Sequence, residues 1–166
     1  MSATVSQRDA EHMMVSTGLE DMKIIRSAQN VRSELTYQVQ KKKDKRNETL
    51  EDLQKIIEDA HPGRCIIYCA TPDQCSDLFG GLTAHIDPAR MGVYHGKLPE
   101  KDRNTALQRW QNGSCRVMIA TNSFGMGIHM PDVRRVVHYV FPLSMSKSNK
   151  FLFKKITQVI NISMLI

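Results

Sequence analysis

The sequence predicts an α/β protein with a mostly parallel sheet and flanking helices. Three observations lead to this fold class. Short apolar runs bounded by turn residues are typical of buried strands in a parallel sheet. These runs alternate with helical patterns, which indicates βαβ units with right-handed crossovers. A glycine-rich loop at 121–130 follows one of the runs, and open sheets of this class bind ligands where their strands end.

The first elements are a strand and a helix joined by a charged linker. Residues 34–40 alternate apolar and polar side chains, as a half-buried strand does. The linker, 41–47, follows. Asn47 is expected to cap a helix that continues to about Ala60 with apolar residues on one face. The His-Pro-Gly triplet at 61–63 ends this helix.

The next unit carries the strongest local signals in the chain. Residues 65–70 form an apolar run of strand length. Thr71 follows as a helix N-cap, with Pro72 at the first helical position and Gln74 at the capping-box position. These residues predict a strand that passes directly into a helix.

Three further strands are expected, at 91–94, 116–120 and 134–139. Pro99 begins a helix between the first two of them, and the Asn-Gly pair at 112–113 ends it. The composition changes after this sheet region. The chain end is rich in Lys, Asn, Ile, Ser and Phe without a clean 3.6-residue period, so we expect a loosely amphipathic helix or a disordered end there.

Composition excludes several classes of protein. Hydrophobic residues make up 41% and charged residues 24% of the 166 residues, which is typical of a globular chain. No apolar run reaches the 18 residues that suggest a membrane span, and the N-terminus lacks the pattern of a secretory signal. We therefore expect an intracellular protein with no membrane partner. The four cysteines form no CxxC pair and are predicted to be buried and reduced, without a metal.

The net charge of +6 is concentrated in two segments. Four lysines and no acid lie in the last twenty residues. The run KKKDKR at 41–46 contributes another +4. A positive net charge permits nucleic-acid binding. It is equally open that these two segments are simply a solvated loop and a solvated tail.

Three loops follow the carboxyl ends of predicted strands, at 70–71, 95–97 and 121–130. In a parallel sheet they share one edge. They offer the hydroxyls of Thr71, Thr121 and Ser123, the Lys97 amine, backbone N–H groups at glycines and helix N-termini. Such donors hold phosphate oxygens, so this edge is the candidate binding site.

Plainer interpretations of the same residues stay open. The glycines can form a tight turn alone, His95 can be a hydrogen-bonded loop residue, and Thr121 can simply cap the turn that follows. His138 lies within an apolar strand and is expected to be a core residue. The sequence contains no GxxxxGK[ST] loop, no Asp-Glu pair after an apolar strand, no GxSxG and no HExxH, so no complete catalytic site is predicted.

Four segments together resemble the RecQ family of ATP-dependent DNA helicases. CIIYCAT is similar to motif IV, VYHGKL to the YHAGL segment, and ATNSFGMGIHMPDVRRVVHYVFP to motif V with the strand after it. MSATVS at the N-terminus is similar to motif III. The resemblance implies the end of a first RecA-like lobe and a connector at 1–33, an incomplete second RecA-like lobe, the helicase C-terminal lobe, at 34–144, and a divergent basic tail at 145–166.

The resemblance also implies an activity and site residues. Such helicases close two lobes on ATP and Mg²⁺ and move 3′ to 5′ along one DNA strand. Carried over by motif, the contacts to single-stranded DNA are Thr71, His95, Gly96, Lys97 and Thr121. The nucleotide-facing or coupling residues are Ser2, Thr4, Gly125, Gly127 and His129. The implied partners are DNA and the missing first lobe, and the implied location is the nucleus in a eukaryote.

The chain also departs from this family. His129 stands where motif V usually has Asp or Asn near the ATP ribose, and Lys97 replaces a glycine. Motifs I, II and VI are absent from the sequence. Since an arginine finger alone contributes about 10³ to 10⁵ in rate, we expect the chain by itself neither to hydrolyse ATP, nor to bind it tightly, nor to unwind DNA. We expect a fragment: a truncated product, a misjoined gene model or a degenerate copy.

Interpretations from other classes remain. One is a nucleic-acid-binding or interaction module that uses the same loops without a motor. Another is a lobe of a DEAD-box-like RNA helicase, against which FGMGI followed by PDVR argues. The last is a structural orphan that binds nothing.

Overall fold

The computed structural model describes residues 7–18, 35–41, 43–124, 132–140 and 160–165. Within them, six strands form one sheet in which every neighbouring pair is parallel, in the order β1-β6-β5-β2-β4-β3. The strands are β1 Leu35–Gln40, β2 Arg64–Tyr68, β3 Met91–Tyr94, β4 Val117–Ala120, β5 Val133–His138 and β6 Ile160–Leu165. The helices are α1 Gln7–Thr17, α2 Arg46–Glu58, α3 Pro72–Leu82 and α4 Glu100–Gln111, with a 3₁₀ turn at Pro88–Arg90. The predicted fold class is confirmed.

The sheet is covered on both faces. Because successive side chains of a central strand point to opposite faces, those of β4 are all buried, and this strand is apolar throughout. Alternate residues of β2 belong to two different clusters. Cys65 and Ile67 pack in the cluster that contains α2 and α3, while Tyr68 packs in the cluster that contains α4. Strand β4 divides in the same way. The two hydrophobic cores therefore lie on opposite faces of one sheet.

Crossover handedness explains which helix lies on which face. Through α3 the chain passes from β2 across β4 to the edge strand β3, and through α4 it returns from β3 to β4. Because the chain reverses its direction across the sheet, right-handed crossovers require α3 and α4 to lie on opposite faces. That is the arrangement observed.

Most predicted boundaries agree with the structure within two residues, but the start of α2 does not follow the predicted cap. The helix begins at Arg46, Lys45 is its N-cap, and the Lys45 side chain makes no capping hydrogen bond. Asn47 lies inside the first turn instead of capping it. The predicted end at 61–63 is confirmed. At Gly63 an added Cβ would lie 2.7 Å from the backbone oxygen of Asp132, so the close approach of β5 requires glycine there.

The chain end contains a strand, where an amphipathic helix or a disordered end was expected. Strand β6, Ile160–Leu165, pairs with β1 on one side and with β5 on the other. The segment INISML alternates apolar and polar residues at its first four positions, which is a strand signal. The prediction was wrong because the alternation covers only four residues within a tail that has no clear period as a whole.

Two further expectations concern cysteines and membranes. All four cysteines are free and buried, as predicted. Burial raises the pKa of the Cys65 thiol to about 12 and that of Cys115 to about 11, so both stay protonated at neutral pH. In the part of the chain that the structure describes, no helix has the length and apolar character needed to cross a bilayer.

Candidate functional site

The starts of the three predicted loops lie side by side at the carboxyl edge of the sheet. Their strands β2, β4 and β3 are direct neighbours and parallel. The Cys69 N–H after β2 donates to the Ala120 carbonyl of β4 at 2.8 Å, and the Thr121 N–H donates to the Tyr94 carbonyl of β3 at 3.1 Å. Backbone hydrogen bonds thus continue past the ends of the strands and join the starts of the loops. The prediction that these loops share one edge is confirmed.

The first loop presents Thr71 in a fixed position. Its hydroxyl oxygen accepts from the Gln74 N–H at 3.2 Å as the N-cap of α3, and the Gln74 side chain accepts from the Ala70 N–H at 3.0 Å. The predicted cap is confirmed, although the glutamine reaches the residue before Thr71. Since Thr71 is exposed and its oxygen serves as acceptor, the hydroxyl hydrogen remains to donate to an anion.

The second loop combines a buried histidine with an exposed cation. His95 is 7% exposed, and its Nδ1 has no hydrogen-bond partner among the residues described. The Leu98 N–H donates to the His95 carbonyl at 3.1 Å and closes the turn. Gly96 and Lys97 are exposed, and Lys97 makes no ion pair within the described ranges. This loop therefore offers an uncompensated positive charge.

The third loop starts with a pair of hydroxyls above an aromatic anchor. Thr121 Oγ1 and Ser123 Oγ are 2.9 Å apart, and the Phe124 N–H donates to the Thr121 carbonyl at 3.0 Å. The Phe124 side chain is fully buried. Its carbonyl accepts from the Tyr68 hydroxyl at 3.3 Å. The loop is thus tied to β2 through Phe124 and to β3 through Thr121.

The aromatic anchor was missed in the sequence. Phe124 contacts Trp110 of α4 edge-on, with centroids 5.6 Å apart, and packs at a tilt against Tyr94, with centroids 5.1 Å apart. The only signal available was one phenylalanine between polar residues and glycines in the loop. Such a residue is either exposed for binding or buried as an anchor, and a single sequence does not distinguish the two.

Several predicted site residues cannot be compared with the structure. Ser2, Thr4, Gly125, Gly127 and His129 lie outside the described residues. Their roles stay predictions. Among the residues described, no group of three His, Cys, Asp or Glu side chains could hold a metal ion.

The amino edge of the sheet is held by a buried arginine. Arg64 Nε donates to Asp132 Oδ2 at 2.8 Å, and the guanidinium lies 5.2 Å from the centroid of the Trp110 ring. Arg64 also donates to the Trp110 carbonyl. This cluster fixes the start of β5, so the two residues that flank segment 125–131, Phe124 and Asp132, are each anchored.

Comparison with known families decides what kind of domain this is. A model of the helicase conserved C-terminal domain matches residues 48–161, which is well over half of the chain. The chain belongs to the helicase C-terminal domain family. The match begins in α2 and reaches into β6, so it includes all three loops of the candidate site.

Curated relatives of this helicase C-terminal domain fall into two groups. A putative ATP-dependent DNA helicase Q1 of Caenorhabditis briggsae is 32% identical over 145 residues, covering 87% of this chain and 23% of the relative. An ATP-dependent RNA helicase RhlB of Sodalis glossinidius is 31% identical over 145 residues, covering 85% of this chain and 33% of the relative. The domain therefore spans a third or less of the length of these relatives.

Solved structures support the RecA-like fold of this helicase C-terminal domain. S. cerevisiae Dbp5 bound to RNA and ADP BeF3 superposes with a TM-score of 0.75 at 19% identity, covering 98% of this chain and 43% of that one. The Mycobacterium smegmatis helicase Lhr bound to ssDNA and AMP-PNP gives a TM-score of 0.65 at 16% identity, covering 78% of this chain and 19% of that one.

His138 closes the candidate site of the helicase C-terminal domain on the β5 side. It is 5% exposed and stacks on Tyr68 with ring centroids 5.4 Å apart. Burial lowers the pKa of the His138 imidazole to about 4 and raises the pKa of the Tyr68 hydroxyl. Both groups are neutral near pH 7. The expectation that His138 is a core residue is confirmed.

We expect acid to destabilise the domain through His138. The unfolded imidazole protonates near 6.5 and the folded one near 4. Between these values the unfolded state binds more protons, so the free energy of unfolding falls as pH decreases through this window. The full difference corresponds to about 3 kcal/mol. Urea unfolding at neutral pH and near the lower end of the window measures the loss.

The control for this effect is His138→Gln, which removes the titrating group. Its loss of unfolding free energy between the two pH values should be smaller than that of the wild type by about 2 to 3 kcal/mol. Parallel pH profiles for the two proteins would contradict a buried neutral His138.

Proposed function

We propose that this chain is the second motor lobe of a RecQ-type ATP-dependent DNA helicase and that its carboxyl edge holds the sugar-phosphate backbone of a single strand. One observation carries the proposal. The Thr71 loop, the His95-to-Lys97 loop and the Thr121 loop lie side by side, and backbone hydrogen bonds at 2.8 and 3.1 Å join their starts. This brings hydroxyl, ammonium and backbone donors together on one rim.

The chemistry of this rim suits phosphates. The Thr71 and Thr121 hydroxyls and the Lys97 ammonium can donate to phosphate oxygens. Contacts of this kind to the nucleic-acid backbone do not depend on the base sequence. His138 and Tyr68 are neutral near pH 7 because of burial, so neither adds a charge to this rim, and Lys97 supplies an ammonium group. A strand held in this way binds without regard to its bases, and its affinity depends on salt.

By the motif resemblance, we assign Gly125, Gly127 and His129 to the nucleotide side of the proposed lobe, and Ser2 and Thr4 to its coupling segment. ATP and Mg²⁺ would be held mainly by a first lobe, since the sequence contains no GxxxxGK[ST] loop. We further propose that the 166-residue chain does not turn over ATP alone, because the phosphate-cradling lysine and the arginine finger are lacking. Colorimetric phosphate release above the blank would contradict this statement.

The binding test is a fluorescence anisotropy titration with labelled oligothymidylate. Thr121→Ala removes one hydroxyl donor, and a net loss of about 0.5 to 1.5 kcal/mol in binding free energy is expected. Lys97→Ala removes one phosphate contact, so the slope of log affinity against log salt should become less steep by about 0.7. Arg90→Gln is the matched control, because Arg90 is exposed and precedes β3 at the amino edge. Equal affinity for the wild type and both site variants would overturn the proposal.

A second candidate function is supported by the relatives named RNA helicase RhlB, since one of them is 31% identical over 145 residues. An RNA helicase lobe would use the same rim with added contacts to the 2′-hydroxyl. Titration with oligouridylate of matched length decides between the two. Tighter binding of oligouridylate than of oligothymidylate would favour the RNA helicase. This preference should disappear when the oligouridylate is replaced by its 2′-deoxy form.

A further inference from the structure

A second basic surface lies at the same edge of the sheet as the candidate site. Strand β1 is parallel to its neighbours, so its carboxyl end and the charged loop that follows lie on the carboxyl edge. In the order β1-β6-β5-β2 it is three strand spacings from the Thr71 strand, which is about 14 Å at the usual spacing. We propose that Lys41 and Lys43 form a second phosphate subsite that lengthens the nucleic-acid path along this edge. This inference rests on the proposed function.

The two lysines line a groove large enough for a nucleic-acid backbone. The groove has a volume of about 590 Å³ and lies between α2 and the face of β1 and β5. Its walls carry the amides of Gln38 and Gln40 beside Lys41 and Lys43. Amide and ammonium groups together are typical donors to phosphate and sugar oxygens.

The acidic groups of this groove are already paired. Asp52 lies 3.8 Å from Lys55, and Asp59 lies 3.5 Å from Arg135. These pairs cancel four of the six charges along the groove. Lys41 and Lys43 are exposed and make no ion pair within the part of the chain that the structure describes. The groove therefore keeps two positive charges that a polyanion can neutralise.

The remaining charges near this groove do not reverse its sign. Asp44 shares a neighbouring recess with Lys41 and Lys43, so it offsets one of their two charges and leaves this surface net positive. Lys45 also lines that recess and is 3.6 Å from Glu48.

A single phosphate would reach either the groove or the candidate site, but a long single strand can occupy both. The extended subsite is thus expected to affect long strands and to leave short ones unchanged.

The test compares two oligothymidylate lengths over a range of salt concentrations. One length is the shortest that wild type binds, and the other is several nucleotides longer. In the double variant Lys41→Gln and Lys43→Gln, two phosphate contacts are lost, so the salt slope for the long strand should become less steep by about 1.4. For the short strand the slope should not change. Arg90→Gln, at the amino edge, should change neither.

The outcomes separate this inference from the proposed function. If wild type binds and Lys97→Ala weakens binding while the double variant keeps the long-strand slope, the second subsite is wrong and the proposed function stands. If Arg90→Gln reduces the slope as much as each lysine substitution does, only overall charge matters and the subsite is wrong. If wild type binds neither strand, the proposed function fails and the inference fails with it.

Discussion

Replacing Arg64 by methionine is expected to lower the free energy of unfolding by about 2 to 4 kcal/mol, because it leaves the Asp132 carboxylate and the Trp110 carbonyl without their donor, and each unsatisfied group costs about 1 to 3 kcal/mol. The Arg64 side chain is only 10% exposed. Its loss leaves the Asp132 carboxylate without its 2.8 Å partner and removes a donor from the Trp110 carbonyl. Urea unfolding followed by circular dichroism gives the free energy.

A double-mutant cycle tests whether the loss comes from the pair. Asp132 is 44% exposed, so it is partly hydrated and Asp132→Asn should cost less than Arg64→Met. The double variant should recover part of the loss, with an interaction energy of about 1 to 3 kcal/mol. A loss below about 1 kcal/mol for Arg64→Met, or strict additivity in the cycle, would show that the pair is not a structural support of β5.

Local signals made much of the carboxyl edge predictable. Thr71 with Pro72 and Gln74 marks a helix start through contacts within four residues, and the structure contains the capping bond. The convergence of the three loops followed from a general property of parallel sheets and needed no knowledge of strand order. The first prediction rests on contacts at short range in the sequence, and the second on a geometric property that all parallel sheets share.

Long-range features were not predictable in the same way. Nothing near residues 160–165 states that this strand lies between β1 and β5, because that position depends on pairing with segments far away in the sequence. The burial of Arg64 is a similar case. It precedes an apolar run as an ordinary charged residue does, and only the approach of Asp132 and Trp110 makes it a core residue.

The exposure of the side chains in the second loop was also not predictable from the sequence. His95 and Lys97 belong to one loop of predicted donors, yet the structure buries the first to 7% exposure and leaves the second in solvent. The exposed fraction decides which of the two side chains a ligand can reach from solvent. It is set here by the turn that Leu98 closes on the His95 carbonyl, which composition alone does not specify.

Replacing Trp110 by alanine is expected to cost about 3 to 5 kcal/mol of unfolding free energy, the range for deleting a large buried aromatic side chain. Trp110 is fully buried. It contacts Phe124 edge-on at 5.6 Å and lies under the Arg64 guanidinium at 5.2 Å. The variant removes both contacts and leaves a cavity beneath the third loop. Urea unfolding measures the loss.

Trp110→Phe is the matched control, because it keeps a ring against Phe124 and under Arg64. It also removes the Trp110 Nε1–H, which has no hydrogen-bond partner among the described residues, so its cost should be less than half that of the alanine variant. A phenylalanine variant as unstable as the alanine variant would show that neither the cavity volume nor a ring at this position sets the cost.

The same pair of variants connects the core to the site. The Phe124 N–H is bonded to the Thr121 carbonyl at 3.0 Å, so a cavity at Trp110 lets the Thr121 loop move. Under conditions where both variants remain folded, Trp110→Ala should bind oligothymidylate more weakly than Trp110→Phe, since ordering a loosened loop costs binding free energy. If the two bind equally, the Thr121 loop is held by its backbone bonds alone. If only the alanine variant is weakened, the buried anchor positions the phosphate donors, and α4 contributes to the candidate site without touching the ligand.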